Sequence, residues 1–323
     1  MQRSIVVVGS LNLDLVARVD RLPALGETII GLDFQTHCGG KGANQAVALA
    51  RLGASVKMIG KLGSDPFAAQ LRDGADQAGI DTSCVGNVSG SSGIALITIS
   101  RDGNNTIVII PGANGSLLPE DIDRHREQIE HASMVLSQLE IPPETTEYLG
   151  QVVHSRGIPF LLDPAPAYML SQKLLQSVTW LTPNETETML LLGIDPSAQS
   201  SYSAPESAER LLGLGVRNVI LKLGVRGVYL AGKDVKGTFV DGFSVDAVDT
   251  TAAGDSFNGA FAFALTCCGM APKDAAKFAC GAAALSVTRP GAQPSIPTLS
   301  ECETFFEQRG ASASLPRLQI RRK

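Results

Sequence analysis

The sequence predicts an α/β domain organised on a doubly wound, mainly parallel sheet, with a second and smaller β-sheet set apart as a lid. Three observations carry this. Ile5 to Val8 is an unbroken β-branched run closed by Gly9-Ser10, the pattern of a strand buried on both faces. From residue 55 onward, strand-like apolar runs alternate with stretches of helical periodicity, as βα units do when they join into a parallel sheet. Two β-branched patches, Thr28 to Phe34 and Gly93 to Ile110, lack the helices of such crossovers and read as a separate sheet.

Length and composition bound the function. The 323 residues are enough for one sizeable core, and 44% hydrophobic with 18% charged residues is ordinary globular usage. A net charge of −5, with no Lys/Arg-rich run before the last residues, argues against a nucleic-acid-binding surface. The tail 310–323, carrying Arg317, Arg321, Arg322 and Lys323, is expected to be a disordered basic end. Six cysteines with no C-x-x-C and no histidine at ligand spacing indicate neither a zinc site nor a disulfide framework. Met1 leads straight into a strand and no apolar run is long enough for a bilayer, so the expected compartment is the cytoplasm.

Taken in order, the first strand is followed by a loop holding Asn12 and Asp14, beyond the carboxyl end where open α/β sheets bind ligands; an Asx turn fits these residues equally. The lid patches follow, spanning about 15–37 and 93–112, the second folded back at Asp102-Gly103, a strong hairpin signal. An apolar face on such a sheet would invite pairing into a homodimer. Between the patches, Gly39-Gly40-Lys41 opens a helix whose Ala43, Ala46, Val47 and Ala50 keep helical spacing, with Gly53 as its stop. Neither G-x-x-x-x-G-K-[ST] nor G-x-G-x-x-G is present.

Strands are expected at 55–60, 134–139, 160–163, 179–181 and 219–223, and helices near 65–78, 119–130, 143–156, 185–192 and 204–214. Polar residues stand at three of the strand ends: Glu140, then Asn184 to Glu187, then Lys222 to Gly227. Taken singly, each also fits a helix cap or a turn. In Asp249 to Ala262, small residues give way to Phe257, Phe261 and Leu265 at helical spacing, so Gly254 and Asp255 open a buried helix. Its free N–H groups suit a phosphate or a developing negative charge. A helix of small residues, about 273–288, and a Pro/Gly loop at 289–295 complete a single domain over 1–309.

Gly39-Gly40-Lys41-Gly42-Ala43-Asn44 and Asp249-Thr250-Thr251-Ala252-Ala253-Gly254-Asp255 together resemble the paired signatures of the ribokinase family, the phosphofructokinase-B-type carbohydrate kinases. The resemblance runs from Gly9 to Asp14 through to Gly291 to Ser295. It implies a three-layer α/β/α fold with a β lid, and transfer of the ATP γ-phosphoryl group to the 5-hydroxyl of D-ribose. By the same resemblance Asp255 is the general base, and the amides of Ala252, Ala253 and Gly254 form the anion hole. The sugar positions fall on Asn12, Leu13, Asp14, Gly40, Lys41, Gly42, Ala43, Asn44 and Glu140. Asn184 and Glu187 match an N-x-x-E motif that arranges magnesium and phosphate, Glu187 through water. Lys222, Leu223, Gly224, Val225, Arg226 and Gly227 match the nucleotide loop. Asp249, Thr251, Ser286, Arg289, Gly291 and Ser295 align with positions that hold a monovalent cation, usually potassium. One departure is Cys280, near the adenine, where the family commonly carries histidine.

Elementary chemistry agrees with that implication, since phosphoryl transfer asks a protein mainly for positioning and charge stabilisation. Deoxyribose, fructose or adenosine are competing acceptors within the family. A nicotinamide dehydrogenase would need a G-x-G-x-x-G after the first strand, and a non-catalytic sugar-binding regulator would not need Asp255.

Overall fold

The first strand, β1 (Ile5–Val8), separates two cores because successive strand residues point to opposite faces. Ile5 and Val7 pack with the helices that carry Val47, Phe261 and Phe278, whereas Val6 and Val8 pack with Leu149, Val153 and Ile129 on the other side. All four residues are fully buried, as an unbroken apolar run requires. The result is three layers, α/β/α.

The computed structural model describes residues 4–196, 203–311 and 315. From β1 the chain enters β2 (Asn12–Val19) and β3 (Asp33–Gly39), then α1 (Lys41–Arg51), β4 (Val56–Leu62), α2 (Pro66–Gln77) and β5 (Asp81–Asn87). A hairpin of β6 (Gly93–Ser100) and β7 (Asn105–Ile110) precedes α3 (Pro119–Arg124), α4 (Arg126–Glu130) and β8 (Met134–Ser137). Next come α5 (Pro143–Ser155), β9 (Phe160–Leu162), α6 (Gln172–Ser177), β10 (Trp180–Leu181), α7 (Glu185–Leu191), α8 (Ala204–Gly213) and β11 (Asn218–Lys222). β12 (Val228–Gly232) and β13 (Thr238–Val240) lead to α9 (Ala253–Thr266), α10 (Pro272–Ser286) and α11 (Leu299–Gln308).

The main sheet has the order β13-β12-β11-β10-β9-β8-β1-β4-β5, parallel from β11 to β5 with β12 and β13 antiparallel at one edge. The lid is a separate sheet, β3-β2-β6-β7, in which β2 pairs parallel with β6 and antiparallel with β3. Among the described residues no helix is long and apolar enough to cross a membrane.

Several local expectations are corrected. Asn12-Leu13-Asp14 is not a loop but the start of β2, because Asn12 pairs with both Gly39 and Gly93 and so belongs to the lid ladder. The lid strand expected at 28–34 runs instead from Asp33 to Gly39, since the β2 register carries pairing up to the start of α1; Thr28 and Ile30 lie exposed outside the sheet. The helix expected over 119–130 is broken at His125 (φ −109°, ψ 21°). The polar edge strand β5, the β12–β13 pair, α6 and α11 were not expected from the sequence pattern. The expected tail lies outside the described residues, except Gly310, Ala311 and Leu315.

Candidate active site

The turn before α9 fixes the site. Ala252 adopts the left-handed conformation (φ 59°) without being glycine, a strain of about 1 kcal/mol that places the first amides of α9 toward the cleft. The helix begins at Ala253, one residue before the expected Gly254. Its first-turn N–H groups have no intrahelical acceptor, although the Ala253 amide donates to the Thr250 carbonyl at 3.2 Å. A Cβ on Gly254 would lie 3.3 Å from Lys222 Nζ, so an ammonium group sits against this turn.

Asp255, in the first turn of α9, is buried. Its Oδ2 accepts from Asn44 Nδ2 at 3.0 Å and its Oδ1 from Gln45 Nε2 at 3.1 Å. Gln45 Nε2 also donates to Asp163 Oδ2 at 2.9 Å, and Lys222 Nζ to Asp163 Oδ1 at 3.0 Å. Burial raises the Asp255 carboxyl to about 6; Lys41 opposes the rise, Asp163 adds to it, and the two amide donors oppose it. That places a carboxylate close to neutral pH, where a general base works best.

Of the residues expected on the sugar side, Asn12, Lys41 and Glu140 converge next to the lid strand β2. Glu140 Oε2 accepts from Ser10 Oγ at 2.6 Å, the Lys41 amide at 3.1 Å and Asn12 Nδ2 at 3.4 Å. Asn114 holds the first of these segments, accepting from the Leu11 amide at 3.0 Å and donating to Asn12 Oδ1 at 2.7 Å. Burial, then Glu140 and then Asp255, push the Asp14 carboxyl up to about 7, against Lys41. Lys41 is held firmly protonated: burial works against its charge, but Asp255, Asp163, Glu140 and Glu187 outweigh it. Gly40 has φ 87°, and a Cβ on Gly39 would meet Asp14 Oδ2 at 2.3 Å, so the turn can approach β2 only as glycine.

Three expected sugar positions do not face the cleft. Leu13 and Ala43 are packed in the core, and the amides of Gly42 and Ala43 donate to Ser10. They shape the turn that presents Gly40, Lys41 and Asn44.

Asp255 and Lys41 also border a cavity of about 430 Å³, lined further by Asn184, Glu187, Lys222, Gly224, Val225 and Gly227, and by Cys280. Burial raises the Glu187 carboxyl, Lys222 opposing it and Asp163 adding to it. Burial likewise pushes the Cys280 thiol up to about 12. Two members of the expected nucleotide loop point elsewhere: Leu223 is packed in the core, and Arg226 Nη2 donates to Glu185 Oε1 at 2.5 Å on the surface. Gly242, Phe243 and Val245 line the cavity without having been singled out in the sequence, and so do Ala284 and Val287. Ser10, Gln45, Asn114, Gln138 and Asp163 were likewise missed. Their only signal was position, beside a glycine turn or just past an apolar strand.

The residues aligned with a monovalent cation form one turn-to-loop junction. Asp249 Oδ1 accepts from the Thr251 amide at 2.9 Å and hydroxyl at 2.6 Å, and Oδ2 from the Gly291 amide at 2.8 Å. The hydroxyls of Ser286 and Ser295 donate to the Ala283 and Ala292 carbonyls, both at 2.8 Å, and Arg289 turns away to Glu301 at 2.8 Å. Among the described residues no group of three or more His, Cys, Asp or Glu side chains is placed to hold a metal ion. A hard cation here would rest on single carboxylates, backbone oxygens and water, a donor set that fits magnesium at Glu187 and a monovalent ion at Asp249.

Comparison with known proteins adds independent findings. Residues 2–299 match the family described as pfkB family carbohydrate kinase. The chain is 40% identical to the ribokinase of Haemophilus influenzae, over 95% of this chain and 99% of that protein. It is 38% identical to the deoxyribokinase of Salmonella typhi, over 94% of this chain and 98% of the relative. Its fold superposes on the structure of Arabidopsis thaliana ribokinase complexed with ribose and ATP with a TM-score of 0.86 at 34% identity, covering 95% of this chain and 99% of the other.

Proposed function

Because the chain belongs to the pfkB family of carbohydrate kinases, and so acts as an ATP-dependent sugar kinase, we propose that its acceptor is D-ribose and its product ribose 5-phosphate. The observation that carries this reading is the place of Asp255. Its carboxylate, at the start of α9, lines the 430 Å³ cavity and is bonded to Asn44 of the cluster of Asn12, Asp14, Lys41, Asn44 and Glu140.

In the proposed reaction Asp255 accepts the proton of the 5-hydroxyl as that oxygen bonds to the γ-phosphorus. The bond from the γ-phosphorus to the β–γ bridging oxygen breaks, and ADP leaves. The amides of Ala252, which caps α9, and of Ala253 and Gly254, which open it, face the equatorial oxygens, with Lys222 beside them adding positive charge. The Ala253 amide must exchange its Thr250 acceptor for the phosphoryl oxygen. Asn12, Asp14, Lys41, Asn44 and Glu140 hold the sugar, and Asp14 and Glu140 suit acceptance from its hydroxyls. Asn184, Gly224, Val225, Gly227 and Cys280 border the nucleotide.

Glu187 would hold magnesium through water, and magnesium when bound neutralises charge on the phosphates. Asp249, with oxygens of Thr251, Ser286, Arg289, Gly291 and Ser295, would hold potassium beside the anion hole. The lid, with Leu96 opposite Val108 on one strand pair and opposite Leu15 on the other, would pair with a second copy into a homodimer.

Deoxyribose is the second reading, favoured by the near-equal identity to a deoxyribokinase. A panel of ribose, deoxyribose, fructose and adenosine assayed by ADP release tests both. A kcat/KM for ribose at least tenfold above the others supports the first reading, and a higher value for deoxyribose replaces it with the second.

A further inference from the structure

Gln45, on α1 and fully buried, stands between two carboxylates. Its Nε2 donates to Asp255 Oδ1 at 3.1 Å and to Asp163 Oδ2 at 2.9 Å, while its Oε1 accepts from Gln138 Nε2 at 2.7 Å. This fixes which end of the amide faces which neighbour. Flipped, Gln45 would set its oxygen against two carboxylates and its NH2 against another NH2, three repulsive contacts in a buried place. Asp163 is in turn paired with Lys222, whose ammonium lies against the first turn of α9. The chain Gln138–Gln45–Asp163–Lys222 therefore links the floor of the sheet to the turn where a phosphoryl group would sit.

We propose that Gln45 is a positioning residue for phosphoryl transfer: locked by Gln138, its amide holds the Asp255 carboxylate in its proton-accepting orientation and ties it, through Asp163, to Lys222. The inference rests on Asp255 being the general base. A donor shared with a second carboxylate also sets the ease with which Asp255 protonates. The charges acting on Asp255 come from Lys41 on α1, Asp14 on β2 and Asp163 after β9, with Lys222 on β11 acting through Asp163. Of these, Asp14 and Asp163 disfavour ionisation, and Lys41 together with the amide donors counters them.

The test is the pH profile of kcat for the full chain, read by ADP release at saturating sugar and ATP, for Gln45→Met and Gln138→Met against the parent. Removing the Gln45 donor should move the acid limb of kcat upward by about one pH unit, lowering kcat roughly fivefold at the parent's midpoint, up to about tenfold well below it, and little at high pH. Gln138→Met leaves both carboxylates their donor but frees the amide to rotate, and should move the limb the same way by less. The KM for ATP should stay within about twofold in both. A limb that stays in place while kcat falls evenly at every pH would show Gln45 to be packing only, and overturns the proposal. If Gln45→Met does not fold, an unmoved limb in Gln138→Met overturns it equally. Asp255→Asn measured alongside separates the two readings. Retained turnover there removes the general base and this inference with it, whereas an inactive Asp255→Asn with an unmoved limb in both glutamine variants removes the inference alone.

Discussion

Asn44 Nδ2 donates to Asp255 Oδ2 across 3.0 Å, joining residues 211 positions apart in the chain. The glycine-turn segment and the α9 segment thus meet in one hydrogen bond, and each is incomplete without the other. In the proposed reaction Asn44 would hold the sugar and Asp255 opens the helix that would face the phosphates, so a hydroxyl held by the first would lie beside the second, the proximity that phosphoryl transfer needs.

Asp255→Asn should fold and bind ATP nearly as the parent does, while kcat falls by roughly two to four orders of magnitude, the scale of a lost general base. Single-turnover ADP formation and nucleotide titration measure the two parts. Near-normal turnover would exclude Asp255 from the proton transfer.

Asp14 carries a stability cost that depends on pH. Its carboxyl is raised from 3.8 to about 7 by burial first and Glu140 second, so the fold favours its protonated form. Stability therefore rises as pH falls through about 7, and is reduced above it, where the buried group is charged. Asp14→Asn removes that cost. Its melting temperature should exceed the parent's at pH 8.5 by an amount corresponding to ~1 to 3 kcal/mol, and the gap should shrink as pH falls below about 7 and close only below 3.8, where the unfolded carboxyl is protonated too. A gap that is constant with pH would mean Asp14 is ionised in the fold at neutral pH.

The lid should pair two copies. Phe34, Leu96 and Val108 are 62, 43 and 58% exposed, an apolar surface that a monomer rarely leaves open. Sedimentation at micromolar concentration should give a dimer, and Val108→Glu should shift it to monomer while leaving the main domain folded. A parent that sediments as a monomer contradicts this.

Potassium should raise activity through geometry at the anion hole. Asp249 ties the 249–251 turn to Gly291, so an ion held there would fix the amides of Ala252 to Gly254 without adding much to global stability. Initial rates at constant ionic strength, with potassium replaced by sodium or choline, should fall severalfold, and Asp249→Ala should resemble the potassium-free parent. Rates that are flat across the replacement, with Asp249→Ala fully active, would leave Asp249 as a turn residue only.

What the sequence determined by itself was whatever local chemistry dictates. The β-branched run of β1 could only be a strand buried on both faces, and the Asp102-Gly103 turn could only fold β6 against β7. Small residues followed by phenylalanines at helical spacing announced α9, and the two glycine-containing segments marked where backbone and ligand come close. The tertiary structure decided what depends on register and on distant neighbours. Asn12 and Asp14 turned out to lie on a lid strand because Gly39 and Gly93 pair with Asn12, and no local pattern encodes that partner choice. Leu13 went to the core because alternate residues of a strand face opposite ways, Ala43 because it lies on the buried face of α1, and Leu223 and Arg226 parted to the core and to Glu185 according to their neighbours in the fold. Gln45, Gln138 and Asp163 are unremarkable amides and a carboxylate in the chain; they acquire a role only where α1, β8 and β9 bring them within hydrogen-bond reach in a buried place, where an unpartnered charge would be too costly to keep.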